Sequence, residues 1–353
     1  MPVLITGTGS CIPTVTKKNS EFLSHHFLNE DGAAFESENA TIIQKFHAIT
    51  GIEERRYAED HLNASDLAFL ASKEAISAAN IDKNTLDYII VAHNFGDVAK
   101  GTIQSDMLPS LASRVKSKLG IINANCVAYD LIFGCPGWVQ GIIQAESFIK
   151  SGLAKKVLVV GTETLSRVVD DSDRDSMIYA DGAGACVLES KESTQKNGIL
   201  SRGAQTFTED EINYLFFGKS YQKQADDTGY IKMHGRKIYE FALNNVPQAM
   251  QKALDESGVA IQEVTKICIH QANEKMDEAI VKRFYRLYKL PMPKGILPMS
   301  IHKLGNSSVA TVPTLLDLIL KGKMEGHELV AGDVVLLASV GAGMNINAVV
   351  YRF

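Results

Sequence analysis

Short apolar runs recur along the chain: "YIIVA" (Tyr88–Ala92), "KVLVV" (Lys156–Val160), "ICI" (Ile267–Ile269) and "VVLLASV" (Val334–Val340). Each is too short for a buried helix and is bounded by polar or turn residues, so each reads as a strand covered on both faces. Between them lie longer segments whose apolar residues fall three and four positions apart, as in "GWVQGIIQAESFIK" (Gly137–Lys150). That spacing gives an amphipathic helix. Alternation of the two patterns predicts an α/β protein in which helices pack on largely buried sheets.

The pattern also repeats. "EAISAANIDKNTLDYIIVAHN" (Glu74–Asn94) aligns without a gap on "KALDESGVAIQEVTKICIHQA" (Lys252–Ala272), 178 residues further on. "AKKVLVVGTE" (Ala154–Glu163) and "GDVVLLASVG" (Gly332–Gly341) align at the same offset. One half is therefore a diverged copy of the other, and the expected division is 1–190 and 191–353. Between these blocks "CPGWVQGIIQAESFIKSG" corresponds to "NSSVATVPTLLDLILKGK" at a local offset of 171, which sets Cys135 opposite Asn306. In a fold with pseudo-twofold symmetry the two helices are neighbours, and their starts can face one pocket.

Cys135 lies between Gly134 and Pro136 where the apolar helix begins. Proline suits the first helical position, so Pro136 is expected at N1 with Cys135 as the cap. A thiol there would meet the positive end of the helix dipole, which lowers a thiol pKa. Asn306 is expected to cap the equivalent helix of the second half. His270 follows the strand "ICI" and stands where the first half has Ala92; strand C-terminal ends are where α/β proteins place ligands.

Composition narrows the function. With 353 residues, 45% of them hydrophobic, the chain can bury a large core, and its net charge of -5 disfavours nucleic acid or an anionic membrane as the main partner. No apolar run spans a bilayer, and "MPVLITGTGSCIP" reads as a strand rather than a signal peptide. Five widely spaced cysteines without a CxxC pair suit a reducing cytoplasm and disfavour a disulfide framework or a cysteine zinc site. No spaced ligand cluster predicts a catalytic metal. "GTGSCI" (Gly7–Ile12) lacks the third glycine of a dinucleotide fingerprint, so NAD is not expected.

"AYDLIFGCPGW" (Ala128–Trp138), "HQAN" (His270–Asn273) and "GNSS" (Gly305–Ser308) resemble the cysteine, histidine and asparagine motifs of the ketoacyl-ACP synthase III family of thiolase-like condensing enzymes. "TGIEERR", "DGAGACVLES", "MHGRKIYEFA" and "GAGMNINAVVYRF" fall in the order that family requires. The resemblance implies a thiolase-like fold of two βαβαβαββ halves layered α/β/α/β/α, acting as a homodimer. It also implies decarboxylative Claisen condensation of an acyl thioester, held on Cys135, with a malonyl group on acyl carrier protein. Cys135 would be the nucleophile, and His270 and Asn306 would form the oxyanion site for the condensing step. Backbone NH groups of Cys135 and Ala342 would serve the acyl-transfer step, with Asn273 orienting the histidine. No cofactor is implied; the substrates ride on coenzyme A or on the phosphopantetheine of the carrier.

Certain positions depart from the family pattern. Lys45 and Ile49 stand where an aromatic residue and an arginine grip the adenine of coenzyme A, and Val340 replaces an aromatic residue. The segment Asn94–Leu108 is longer than the loop that bounds the primer pocket. Together these point to a primer other than acetyl-CoA, and the proline of "GCPGW" resembles ketosynthases of dialkylresorcinol or flexirubin-type lipid pathways. An acyltransferase that does not decarboxylate is the alternative from another class. Lys275, Lys282 and Arg286 are spaced to share one helix face and form a candidate landing site for an acidic carrier protein. By the same resemblance Arg174 stands near the mouth of the pantetheine tunnel.

Overall fold

The structure is a computed structural model and describes residues 1–192, 196–223 and 227–353. Its first half runs Val3–Cys11 (β1), Val15–Lys18 (β2), Asn39–Thr50 (α1), Glu54–Tyr57 (β3), Ala64–Ala79 (α2) and Tyr88–Ala92 (β4). Asp97–Val98 (β5), Ser105–Asp106 (β6), Leu111–Lys118 (α3), Val127–Leu131 (β7), Gly137–Lys150 (α4), Lys156–Thr164 (β8) and Asp181–Ser190 (β9) follow. The second half runs Gly198–Thr206 (β10), Leu215–Lys219 (β11), Gly229–Met233 (β12), Gly235–Ser257 (α5) and Val264–Ile269 (β13). It ends with Glu274–Leu287 (α6), Ile301–Leu304 (α7), Thr311–Leu320 (α8), Val334–Gly341 (β14) and Asn345–Arg352 (β15).

Two large sheets form, ordered β1-β9-β8-β4-β7 and β10-β15-β14-β13, beside small two-stranded pairs. They are copies in topology: in each, a central strand pairs parallel with one neighbour and antiparallel with the other, β8 with β4 and β9, β14 with β13 and β15. The strand period of two then decides the layers. Val157 and Val159 of β8 join the core shared with α4 and α8, while Leu158 and Val160 join the core under α2 and α3. In β14 the equivalent Val335 and Leu337 face α4 and α8, and Leu336 and Ala338 face α5 and α6. Residues 178 apart thus occupy equivalent layers, giving the five-layer α/β/α/β/α arrangement of the thiolase-like fold.

The central layer is largely apolar because both of its helices meet both sheets. Trp138, Val139, Ile142 and Ala145 of α4 and Val312, Leu315, Leu316 and Ile319 of α8 are buried there. The segments just before α4 and α8 converge, the Ser308 hydroxyl lying 3.3 Å from Cys135 Sγ. The β11–β12 hairpin lies outside the repeat. Ile231 donates its backbone NH to Val168 O at 2.9 Å, and the buried Lys232 Nζ reaches Asp170 Oδ2 at 2.7 Å and Asp173 Oδ2 at 3.1 Å. Among the described residues no helix is long and apolar enough to cross a membrane.

Candidate active site

Cys135 sits in the turn between β7 and α4. Gly134 has φ +65°, and a side chain there would bring its Cβ within 2.8 Å of the Ala342 backbone nitrogen, so only glycine lets the two loops meet. Gly341 is equally constrained: a Cβ would lie 2.5 Å from the Cys135 nitrogen. Asn345 ties the arrangement together, its Nδ2 donating to Ala342 O at 2.7 Å and to Phe133 O at 3.4 Å. The glycine turn after β14 is therefore held against the backbone of the cysteine loop.

His270 is the first residue after β13, its backbone NH donating to Ala338 O of β14 at 2.9 Å. Asn306 precedes a single turn of 3-10 helix, Ser308–Ala310, that leads into α8. Its backbone is clamped on both sides, with Asn306 N donating to Ile178 O at 3.0 Å and Ala180 N donating to Asn306 O at 2.9 Å. Its side-chain Oδ1 accepts the Ser308 NH at 2.8 Å, which leaves the amide NH2 as the end available to a ligand. Cys135, His270, Asn306 and Ala342 all line one cavity of about 940 Å3.

The helix begins one residue later than expected. Pro136 is the cap and Gly137 the first helical residue, because Gly137 N bonds Gly134 O in a tight turn and the first full helical bond is Gln140 N to Pro136 O. Asn306 is not a cap either; Ala310 caps α8.

The expected lowering of the thiol pKa is overturned as well. Burial pushes the Cys135 thiol up to about 11; the Ser308 hydroxyl, donating to Sγ at 3.3 Å, pulls it down, and the charge of Glu163 raises it further. A helix dipole is worth about 0.3–1 kcal/mol at such a position. The net shift is upward, so burial outweighs the dipole. Although Cys135 keeps some open surface, that surface faces the cavity rather than bulk water. Burial likewise lowers His270 to about 4, with a hydrogen bond to the Ser308 backbone opposing it. At neutral pH both groups rest uncharged.

The other expected residues divide. Arg174 is exposed at the cavity mouth, its guanidinium 5.3 Å from the Phe35 ring centroid and its Nε 3.5 Å from Asp175 Oδ1. Asn273 lines the cavity, but its side-chain oxygen caps α6 by accepting the Met276 NH at 3.1 Å. Lys275, Lys282 and Arg286 are exposed on α6 outside the main cavity. Lys282 pairs with Glu278 at 2.6 Å and, with Arg286 and Lys289, borders a second, shallow cavity. Lys45, Ile49 and Val340 line the main cavity, as do Asn94 and Phe95 at the start of the long loop.

Three groups were not singled out from the sequence: Ser308, Asn94 and the buried Glu163, which meet beside Cys135. Ser308 was within reach, since it lies in the "GNSS" motif. The wall of the cavity was missed too. Phe216, Phe217, Ile231 and Met233 come from the hairpin, and Phe217 meets Phe95 with ring centroids 5.5 Å apart.

Comparison with known proteins gives the same reading. The model of the family 3-oxoacyl-[acyl-carrier-protein (ACP)] synthase III matches residues 129–206, and that of its C-terminal part matches residues 254–353. The beta-ketoacyl-[acyl-carrier-protein] synthase III of Ruegeria pomeroyi is 33% identical over 336 residues, covering 93% of this chain and 97% of its own. A synthase III of Vibrio vulnificus is 32% identical over 351 residues, covering 99% of both. The crystal structure of 3-oxoacyl-[acyl-carrier-protein] synthase III from Aquifex aeolicus superposes with a TM-score of 0.81 at 30% identity, covering 99% of this chain and 100% of that one. The chain belongs to the beta-ketoacyl-[acyl-carrier-protein] synthase III family.

Proposed function

We propose that this chain condenses an acyl thioester with a malonyl group on acyl carrier protein. The observation that carries this reading is the convergence of a thiol, an imidazole and a carboxamide from two repeated halves on one largely apolar cavity. In the first step the Cys135 sulfur attacks the thioester carbonyl, its proton passing to the leaving thiol by way of His270. The oxyanion that forms lies at the backbone NH groups of Cys135 and Ala342. In the second step the malonyl group loses carbon dioxide, and the enolate attacks the acyl carbon and expels the Cys135 thiolate. The Asn306 NH2 and the neutral His270 stabilise the enolate oxygen. Residues 1–190 supply the thiol and 191–353 supply the imidazole and carboxamide.

The cavity walls favour an acyl group longer than acetyl. Phe35, Phe46, Phe95, Phe216 and Phe217 line it, and each buried methylene contributes about 0.8 kcal/mol. The exposed cations of α6, Lys275, Lys282 and Arg286, form the landing face for the acidic carrier, and Arg174 guards the entry. A second copy of this chain docks on β7, the outer strand of its sheet, where Val127, Ile132, Ile122 and Leu108 expose apolar side chains. Five unpaired cysteines fit a reducing cytoplasm. The test is product analysis: acyl thioester plus malonyl-carrier should give 3-oxoacyl-carrier and carbon dioxide with wild type and neither with Cys135→Ala. Acyl transfer without loss of carbon dioxide would establish the acyltransferase alternative instead.

A further inference from the structure

Beside Cys135 lies a chain of polar groups that the two-step scheme does not use. Ser308 donates its hydroxyl to Cys135 Sγ at 3.3 Å and in turn accepts from Asn94 Nδ2 at 3.2 Å. The same Asn94 nitrogen donates to Glu163 Oε1 at 2.5 Å. Three elements supply these residues: Asn94 follows β4, Glu163 is the last residue but one of the adjacent parallel strand β8, and Ser308 opens the turn before α8. Ser308 holds φ +51°, a left-handed conformation that costs a residue with a side chain on the order of 1 kcal/mol or more and persists only where its surroundings impose it. Glu163 is 1% exposed, and the group that hydrogen-bonds its carboxylate is the neutral amide of Asn94.

We propose that Glu163 is a positioning residue that controls the reactivity of Cys135 through Asn94 and Ser308. The amide of Asn94 has two N–H groups, one spent on Glu163 and one on Ser308, so what Glu163 does changes what Ser308 can offer the sulfur. When the carboxyl is neutral, Asn94 polarises the serine hydroxyl toward Sγ and a thiolate there is stabilised. When it is ionised, it draws on the Asn94 amide and sets a negative charge near the sulfur, and the thiol holds its proton. Burial pushes Glu163 up to about 8, against the side-chain and backbone hydrogen bonds of Asn94 and aided by the charge of Asp181. Asp181 is itself held by the Ala58 NH at 2.7 Å and by Ser166 at 2.8 and 2.6 Å, with Arg167 as its nearest cationic influence. Asp181 and Cys135 are thus the ionisable neighbours that bear on Glu163, and the switch falls in the mildly alkaline range.

The inference rests on Cys135 being the reactive thiol but not on which acyl group it takes. Alkylation by iodoacetamide reports the thiol directly, so its outcome is independent of whether condensation occurs. The rate of Cys135 carbamidomethylation, followed by peptide mass between pH 6 and pH 9.5, is compared in wild type and Glu163→Gln. The two rates should agree within about twofold at pH 6, where the wild-type carboxyl is already neutral. At pH 9 the variant should react on the order of tenfold faster, one pKa unit's worth of thiolate. Introducing Ser308→Ala into both proteins should remove most of that difference. Identical pH profiles, or a constant ratio at every pH as a purely structural effect would give, overturn the proposal. A tenfold difference that survives Ser308→Ala undiminished overturns the path through the hydroxyl. Thermal melts of each variant confirm that the rates are those of folded protein.

Discussion

Replacing Asn306 with alanine separates the two chemical steps. Asn306 is 4% exposed, and its backbone is fixed by Ile178 and Ala180, so truncation leaves the loop in place. Two interactions are lost. One is the amide NH2, the proposed oxyanion donor; removing one donor of an oxyanion site costs about 2.7–4 kcal/mol, or 10²–10³ in rate. The other is the 2.8 Å bond from the Ser308 NH, whose loss costs about 1–3 kcal/mol of stability. In the proposed scheme acyl transfer to Cys135 uses different donors, so it should stay within about threefold of wild type, read as the rate of mass gain from an acyl thioester. Condensation, read as 3-oxoacyl product from pre-acylated enzyme and malonyl-carrier, should fall 10²–10³-fold. Asn306→Asp restores the acceptor for Ser308 but not the NH2, so it should recover melting temperature without recovering condensation. Condensation within tenfold of wild type in the alanine variant, or acylation lost in parallel, would refute the assignment.

Other expectations follow from single contacts. Gly341→Ala places a Cβ 2.5 Å from the Cys135 nitrogen, so the glycine turn must shift and acylation should fall by at least tenfold in the same mass assay. Lys232→Met leaves Asp170 and Asp173 buried without their cation, which should cost about 3–5 kcal/mol in denaturant unfolding and loosen the hairpin wall of the cavity. His270 carries a depressed folded-state pKa, about 4 against 6.5 for the free imidazole, so the unfolded chain binds the extra proton first as pH falls. Its contribution to stability is complete above about pH 6.5 and is lost progressively down to about pH 4. Over that window His270→Gln should lose less stability than wild type in parallel melts.

Much of the architecture was legible because the physics that writes it is local. Strand alternation and helix spacing marked the elements, and the offset of 178 between the halves placed Val157 with Val335 and Ile90 with Cys268 in one shared core. That Cys135, His270 and Asn306 meet on one cavity was legible for a related reason: each breaks the symmetry of its repeat at the end of a core element. What escaped was what only assembly creates. Asn94, Glu163 and Ser308 come from three separated segments with no common spacing, and nothing local distinguishes Glu163 from a surface carboxylate. The helix dipole could be read near Cys135, but the burial that outweighs it could not, because it is set by the loop of Gly341, the hairpin and the start of α8 together. The hairpin itself interrupts the repeat, so the alignment that ordered the rest was silent about the wall it builds.

The most direct test of the central claim is the intact mass of wild type and Cys135→Ala after incubation with a panel of acyl-CoA and acyl-carrier thioesters. Wild type should gain one acyl group, and the gain should be absent from the variant and map to the peptide carrying Cys135. Gain from long-chain donors in preference to acetyl-CoA is expected from the aromatic walls. No gain with any donor, or an equal gain in Cys135→Ala, would contradict a mechanism that passes through an acyl-cysteine.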